Sequence, residues 1–204
     1  MRTGLLMLSA VAFAACANDA PVADPMANFE EVESAKVVDA PKPQPGRYYP
    51  GDRDAIDHGA YLIGLLGCGA CHTNGALDGV PDMNKAMAGS MTGIAYSSPL
   101  TDKHPGVVFP PNITPDEETG IGLWTDVEIG NAIRAGTSRH GSRRLVTMPW
   151  QGYARINDDD IAAIVAYLRS IEPISNTVPE PVKRGERTGE RFVYFGVYQN
   201  KTDD

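Results

Sequence analysis

The chain has 204 residues, 42% of them hydrophobic, a formal net charge of −8 and three cysteines. This apolar fraction is enough for the core of about one domain, which excludes a wholly disordered chain. The acidic charge argues against a nucleic-acid-binding protein, and three cysteines are too few for a disulfide-rich scaffold.

The N-terminal 16 residues have the pattern of an export signal. Arg2 precedes an apolar run over residues 5–15, which is shorter than the roughly 20 residues that span a membrane. The small residues before Cys16 resemble a bacterial lipobox, in which the cysteine is lipidated and the signal is removed just before it. We therefore expect a signal peptide over residues 1–16, a lipid anchor on Cys16 and a location on the periplasmic side of a membrane. A simple signal peptide that is cut near a cysteine is the alternative.

Residues 17–46 differ in composition from the rest of the chain. They contain five prolines among alanines and acidic residues, so they cannot bury enough apolar surface to offset the entropy of ordering. We interpret them as a disordered tether between the anchor and a folded domain. The domain is expected to cover residues 47–178, followed by a C-terminal extension over residues 179–204.

A helix is predicted from Asp54 to Leu66. Ile56, Ala60 and Ile63 recur on one stripe of this segment, as in a helix with one buried face. His58 is expected on the helix surface. The helix leads directly into the next motif.

Residues 67–72 contain the motif that carries the chemistry, Cys-x-x-Cys-His. This is the attachment signature of c-type haem, and it predicts one covalently bound haem c. Cys68 and Cys71 can each reach one vinyl group along the same porphyrin edge. His72, directly after them, is then placed to bind the iron as an axial ligand.

Two other interpretations of this cysteine pair are less favoured. A thioredoxin-like redox pair belongs in a βαβ setting, whereas the preceding segment is predicted to be helical. A structural zinc site needs a second pair of ligands, and Cys16 is the only remaining cysteine.

The sixth iron ligand decides the function, because methionine gives a closed electron-transfer site and an open position permits ligand binding or catalysis. Met148 is our prediction, since the proline after it restricts its backbone to extended conformations and thereby directs its sulfur. The other residues considered are earlier methionines and two histidines: Met83, Met87, Met91, His104 and His140.

Two further helices are predicted after the motif. Thr125 and Glu128 form the pattern of a capping box, and Gly136 closes the helix that it opens. Asn157 caps the next helix, whose first turn carries three aspartates and which Pro173 ends. No alternating strand pattern occurs before residue 190, so we expect an all-α domain with long loops. The aromatic segment 191–198 is interpreted as a strand, a cover for the core or a docking segment.

The assembled motifs resemble class I c-type cytochromes, and more narrowly the cytochrome domains and subunits of bacterial membrane-associated alcohol and aldehyde dehydrogenases. The resemblance covers roughly residues 50–178. The segments that carry it are residues 58–62, 67–72, 111–116, 119–122, 124–126, 148–149, Tyr153, Asp160 and residues 166–170.

The resemblance implies a cytochrome c fold, with the N- and C-terminal helices crossed around a covalently bound haem. Gly59 would permit a close approach to an aromatic such as Tyr167. A carbonyl of Pro110 or Pro111 would accept the ring proton of His72. Residues expected to contact the haem are Pro111, Trp124, Arg134, Trp150 and Tyr153. The chain also has a basic cluster that consists of Arg134, Arg139, Arg143 and Arg144. We expect this cluster to bind the haem propionates, to meet an acidic partner or to be a solvated loop.

The function that follows is electron transfer rather than enzymatic catalysis. We expect a mono-haem carrier that accepts electrons from a periplasmic dehydrogenase and passes them to an oxidase or another cytochrome. Fixed association with a dehydrogenase, as one of its subunits, is a variant of this hypothesis. The alternative is a haem enzyme or gas-binding sensor, which requires an open or displaceable sixth ligand.

Overall fold

The structure of the protein is a computed structural model that describes residue 27 and residues 29–31, 53–137, 139 and 147–201. Cys16, His140, Arg143, Arg144 and most of the predicted tether lie outside the described residues, and the described part of the tether contains a strand, Phe29–Glu31. The helices are α1 Arg53–Leu66, α2 Cys68–His72, α3 Asp126–Arg134, α4 Trp150–Tyr153 and α5 Asp158–Ser170. The strands are β1 Phe29–Glu31, β2 Gly93–Ala95, β3 Val107–Val108, β4 Phe192–Tyr194 and β5 Tyr198–Asn200.

Helices α1 and α5 pack directly against each other and hold the main core. A Cβ atom on Gly59 of α1 would lie 2.0 Å from the Ala163 carbonyl oxygen of α5 and 2.9 Å from Cβ of Tyr167, so only glycine fits there. The expected close approach near Tyr167 is therefore present, and its tightest contact is with the Ala163 backbone. The buried residues of this core are Ile63, Met87, Ile121, Ile129, Ile161, Ile164, Val165 and Leu168.

Both predicted helix caps are present. The Thr125 hydroxyl accepts a hydrogen bond from the Glu128 amide at 3.2 Å, and the Glu128 carboxylate accepts one from the Thr125 amide at 2.7 Å. At the start of α5, the Asn157 side chain accepts a hydrogen bond from the Asp160 amide at 2.8 Å. These bonds satisfy amides that have no partner within the helix, so each cap fixes where its helix begins.

A small sheet in the order β3-β2-β4 corrects the expectation that strands are absent before residue 190. Strand β2 pairs antiparallel with β3 and parallel with β4. Because β2 and β3 have only three and two residues, they are too short to show an alternating pattern in the sequence. Phe192 and Tyr194 pack against a second core cluster, so β4 is both a strand and a cover for the core.

The polypeptide between α5 and β4 is held on the same unit by specific bonds. Val182 exchanges backbone hydrogen bonds with Val107, at 2.8 and 2.9 Å. Arg184 donates to the Asp102 carboxylate at 2.6 Å and thereby lowers the pKa of that carboxyl. These bonds show that this part of the chain packs as part of the domain.

The described residues fall into two compact units. The first contains residues 53–197. In the second, β1 pairs antiparallel with β5, and Lys201 donates to the Ala27 carbonyl at 2.8 Å. Within the described part of the chain, no helix has the length and apolar character needed to cross a membrane.

Candidate haem site

A cavity of about 480 Å³ lies beside the cysteine motif, within the size range of protein ligand sites. Cys68, Cys71 and His72 form part of its wall, and Met148 is another of its lining residues. The remaining lining is mostly apolar and comes from α1, α3, α4, α5, β2, β3 and the segments that connect them, together with Pro181. Among these residues are Ile63, Phe109, Ile113, Ile121, Ile129, Ile133, Ile164 and Leu168.

The imidazole of His72 has a fixed orientation. Its Nδ1 atom lies 2.8 Å from the Pro111 carbonyl oxygen. A carbonyl can only accept, so Nδ1 carries the proton and the lone pair of the ring lies on Nε2. This confirms the expected hydrogen bond to a proline carbonyl and assigns it to Pro111. A histidine held in this tautomer is suited to bind iron through Nε2.

Among the methionines that the structure describes, Met148 is the one that lines the cavity. It is half-buried and comes two residues before α4, and its carbonyl accepts a hydrogen bond from the Trp150 amide at 2.8 Å. The other candidates for the sixth iron ligand that the structure describes do not line the cavity: Met83, Met87, Met91 and His104. His58 lies on the surface of α1, where its Nε2 atom is 2.7 Å from the Asp160 carboxylate.

The other predicted contact residues divide into two groups. Pro111, Trp124 and Tyr153 line the cavity, and the Tyr153 hydroxyl donates to the Leu66 carbonyl at 3.3 Å. Arg134 lies instead beside α5, where it donates to the Asp158 carboxylate. Trp150 is buried against Gly136 and is also not a lining residue. The resemblance implied haem contacts for both residues, and neither side chain is among those that line the cavity.

The environment of the two thiols differs from that of a reactive redox pair. Burial raises the pKa of the Cys68 thiol to about 11 and also raises the pKa of the Cys71 thiol. Reactive dithiols have a lowered pKa, because the thiolate is the nucleophile. The environment of this pair therefore disfavours the thioredoxin-like alternative.

The loop before α3, residues 111–124, forms one wall of the cavity and is held by polar bonds. The guanidinium of Arg169 donates to the backbone carbonyls of Ile121, Gly122 and Trp124 and to the Asp126 carboxylate. An arginine suits this role because its planar fork presents several donors at once. These bonds tie the loop to α5.

Asp116 within this loop should make the stability of the protein depend on pH. Its carboxylate accepts hydrogen bonds of 2.7 Å from the Thr119 hydroxyl and amide, and these lower its pKa. Stability from this group is present above the pKa of an unfolded aspartate and is lost as the pH falls through the lowered value. We expect Asp116→Asn to flatten the decline of the urea midpoint between pH 5 and 3, as measured by circular dichroism at about four pH values. Glu117→Gln, at the exposed neighbouring position, is the control and should retain the wild-type slope.

Of the predicted basic cluster, two members are described, and each lies near a carboxylate. Arg134 is paired with Asp158, and the Arg139 side chain lies 3.8 Å from Glu128. Both carboxylates lie at the N-terminal ends of helices. For these two arginines, the contacts favour bonds within the domain.

Comparison with known proteins identifies the class. Residues 56–172 match the family model Cytochrome c, and the chain belongs to this family. The cytochrome c subunit of the quinone alcohol dehydrogenase of Gluconobacter oxydans is 36% identical over 132 residues, which cover 63% of this chain and 24% of that protein. The fructose dehydrogenase cytochrome subunit of Gluconobacter japonicus is 34% identical over 129 residues, 63% of this chain and 24% of that protein. A diheme cytochrome c-type protein of Cereibacter sphaeroides is 32% identical over 148 residues, 72% of this chain and 46% of that protein.

The chain therefore spans less than half the length of each of these relatives. Membership of the family implies a covalently attached haem c, and the residues present fit this group. Two thiols and an imidazole whose tautomer is fixed face one apolar cavity. The donor set and the apolar lining are those that c-type haem requires.

Proposed function

We propose that this chain is an electron-transfer protein with one haem c, held by thioether bonds to Cys68 and Cys71. His72 and Met148 would be its axial ligands. The observation that supports the proposal is that Met148 and the Cys-x-x-Cys-His motif line one and the same cavity. The haem supplies a reversible one-electron couple. The protein would surround it with the apolar residues of α1, α3 and α5, in the crossed-helix arrangement of cytochrome c, and so limit access of water.

One haem is proposed because the sequence contains one attachment motif. The three cysteines of the chain are Cys16 and the pair at Cys68 and Cys71, so a second Cys-x-x-Cys-His cannot be formed. The diheme relative is longer, and this chain spans 46% of it. Within this chain, electrons would therefore enter and leave through the same haem.

The proposed electron donor is a periplasmic dehydrogenase, and the proposed acceptor is an oxidase or another cytochrome. The support is that relatives of this chain are named as cytochrome subunits of alcohol and fructose dehydrogenases. An acidic chain, with a net charge of −8, is suited to a partner with a basic docking face.

Export and lipid attachment at Cys16 are part of the same proposal. Covalent haem attachment by a Cys-x-x-Cys-His motif and an export signal are consistent with one another, because both point to the periplasmic side. A lipid on Cys16, with residues 17–46 as a tether, would keep the haem domain near membrane-bound partners.

The visible absorption spectrum of the ferric protein tests the proposed ligation and carrier function, with wild type beside Met148→Ala. We expect wild type to show the weak red charge-transfer band of methionine sulfur on ferric iron, and the variant to lose it. Met83→Ala is the matched control, because Met83 is 72% exposed and does not line the cavity. A wild-type protein that lacks the band and whose ferrous form binds carbon monoxide readily would contradict the carrier function and favour the enzyme or sensor.

A further inference from the structure

We propose that the polypeptide directly after α5 positions the axial histidine, and that Asn176 is the residue through which it acts. The inference rests on the proposed function, because it takes His72 as an iron ligand. Asn176 itself lies outside the cavity, because it is not among the residues that line it. The expected consequence is that a side chain remote from the haem adjusts its reduction potential.

His72 is held by two segments of irregular backbone. Its ring donates to Pro111, and its own carbonyl accepts a hydrogen bond from the Gly89 amide at 2.8 Å. The two segments, residues 87–90 and 110–114, are also bonded to each other. The Ser90 amide donates to the Pro110 carbonyl at 3.0 Å, and the Ile113 amide donates to the Met87 carbonyl at 2.9 Å. We call these two segments the histidine cradle.

The first link from the histidine cradle to the segment after α5 is Asn112, which is 2% exposed. Its Nδ2 atom donates to the Ile174 carbonyl at 2.7 Å and to the Thr119 hydroxyl at 2.9 Å. Its Oδ1 atom accepts from the Thr114 amide and hydroxyl at 2.9 and 2.7 Å. Asn112 directly follows Pro111, so these bonds fix the peptide whose carbonyl receives the His72 proton.

The second link is Asn176, which is 9% exposed and holds the other half of the cradle. Its Nδ2 atom donates to the Ala88 carbonyl at 2.8 Å, and its Oδ1 atom accepts from the Lys85 ammonium at 3.1 Å. Its backbone amide donates to the Thr119 hydroxyl at 3.0 Å. Asn176 therefore joins residues 85–88 to the loop that carries Pro111.

The packing around the cradle leaves little freedom for adjustment. Gly89 has a φ of +89°, and a Cβ atom there would lie 2.5 Å from Val178 and 2.8 Å from the Asn112 amide nitrogen. Met87, a buried non-glycine residue, is held at a φ of +62°. A backbone conformation that costs energy persists only where its surroundings determine it strongly. The segment after α5 is part of those surroundings.

The hydrogen bond from His72 to Pro111 connects this packing with the iron. A strong acceptor on Nδ1–H makes the imidazole a more basic ligand, and a more basic ligand favours ferric over ferrous iron. Loosening the cradle weakens this bond and should raise the reduction potential. Asn176 is thus a positioning residue, because it acts through the backbone that holds the imidazole.

The test compares the holoprotein with Asn176→Ala and with the control Asn131→Ala, an exposed asparagine of α3. The potential is measured by spectroelectrochemical titration, and the histidine environment by proton NMR of the ferric form. We expect Asn176→Ala to favour the ferrous form by about threefold, or about 28 mV at 59 mV per tenfold for one electron. The His72 ring resonances should shift in the same variant. Lys85→Met removes the ammonium group that donates to Asn176 Oδ1 and leaves the Asn176 side chain in place, so it should give a smaller shift of the potential in the same direction. This variant replaces Asn176→Ala in the test if Asn176→Ala does not fold.

The outcomes separate this inference from the proposed function. If wild type and variants carry covalent haem with intact methionine ligation, but both variants keep the potential and His72 resonances of the control, the positioning role is wrong. A decrease in potential would also overturn it. If wild type carries no covalent haem, or His72 is not a ligand, the proposed function itself fails.

Discussion

Replacing both Cys68 and Cys71 by alanine should give a protein without covalent haem that does not fold cooperatively. The cavity beside these residues measures about 480 Å³. At about 24 cal/mol per Å³ of enclosed apolar cavity, the cost of leaving it empty has an upper limit on the order of 10 kcal/mol, because the cavity is partly open to solvent. That is comparable with the entire stability of a typical domain, about 5–15 kcal/mol. The measurements are haem staining after denaturing electrophoresis and urea unfolding followed by far-ultraviolet circular dichroism.

The control for this variant is Cys16→Ser, which removes the remaining cysteine. It should keep covalent haem and the wild-type unfolding midpoint, because residue 16 precedes the part of the chain that matches the family. A double variant that still unfolds cooperatively at the wild-type midpoint would show that the domain folds without the haem.

A second large effect is expected for Gly59→Ala. The added methyl group would lie 2.0 Å from the Ala163 carbonyl oxygen and 2.6 Å from its carbonyl carbon. Neither atom can move without displacing α5, so the two helices must separate. We expect a loss of at least about 3 kcal/mol in the free energy of unfolding, which urea titration of the holoprotein measures.

Gly64→Ala provides a matched control in the same helix. Apart from its chain neighbours and the backbone of its own helix, nothing lies within 4 Å of the position that a Cβ atom would take at Gly64, so the substitution meets open space. Alanine is the better helix former by about 0.5–1 kcal/mol, and this variant should be as stable as wild type or more stable. Equal destabilisation by both substitutions would mean that close packing at Gly59 does not govern stability.

The features predicted correctly from the sequence depend on residues close together in the chain. The helix before the motif, the capping box at Thr125 and the cap at Asn157 each involve a few neighbouring positions. Of the predicted apolar stripe of α1, Ile63 enters the core, whereas Ile56 and Ala60 are only partly buried. Such local patterns carry most of the information that a single sequence provides about helices.

The features that were missed depend on contacts between distant residues. Strand β2 has three residues and is defined by its neighbours, one of which is β4 near the C-terminus. The bonds of Asn112 to Ile174 and of Asn176 to Ala88 join parts of the chain whose sequences show no common pattern. The contacts of Arg134 with Asp158 and of Trp150 with Gly136 likewise depend on residues that no local sequence pattern brings together.

The parallel pairing of β2 with β4 has a consequence for the order of events in folding. Ile94 and Val193 are on the order of a hundred residues apart, and contacts of this kind form slowly because a long loop must close first. The Cys-x-x-Cys-His motif lies in the first half of the chain, whereas α5 and β4 lie near its end. With haem attached as proposed above, the thioethers would hold it in place while the C-terminal part of the chain arrives to enclose it.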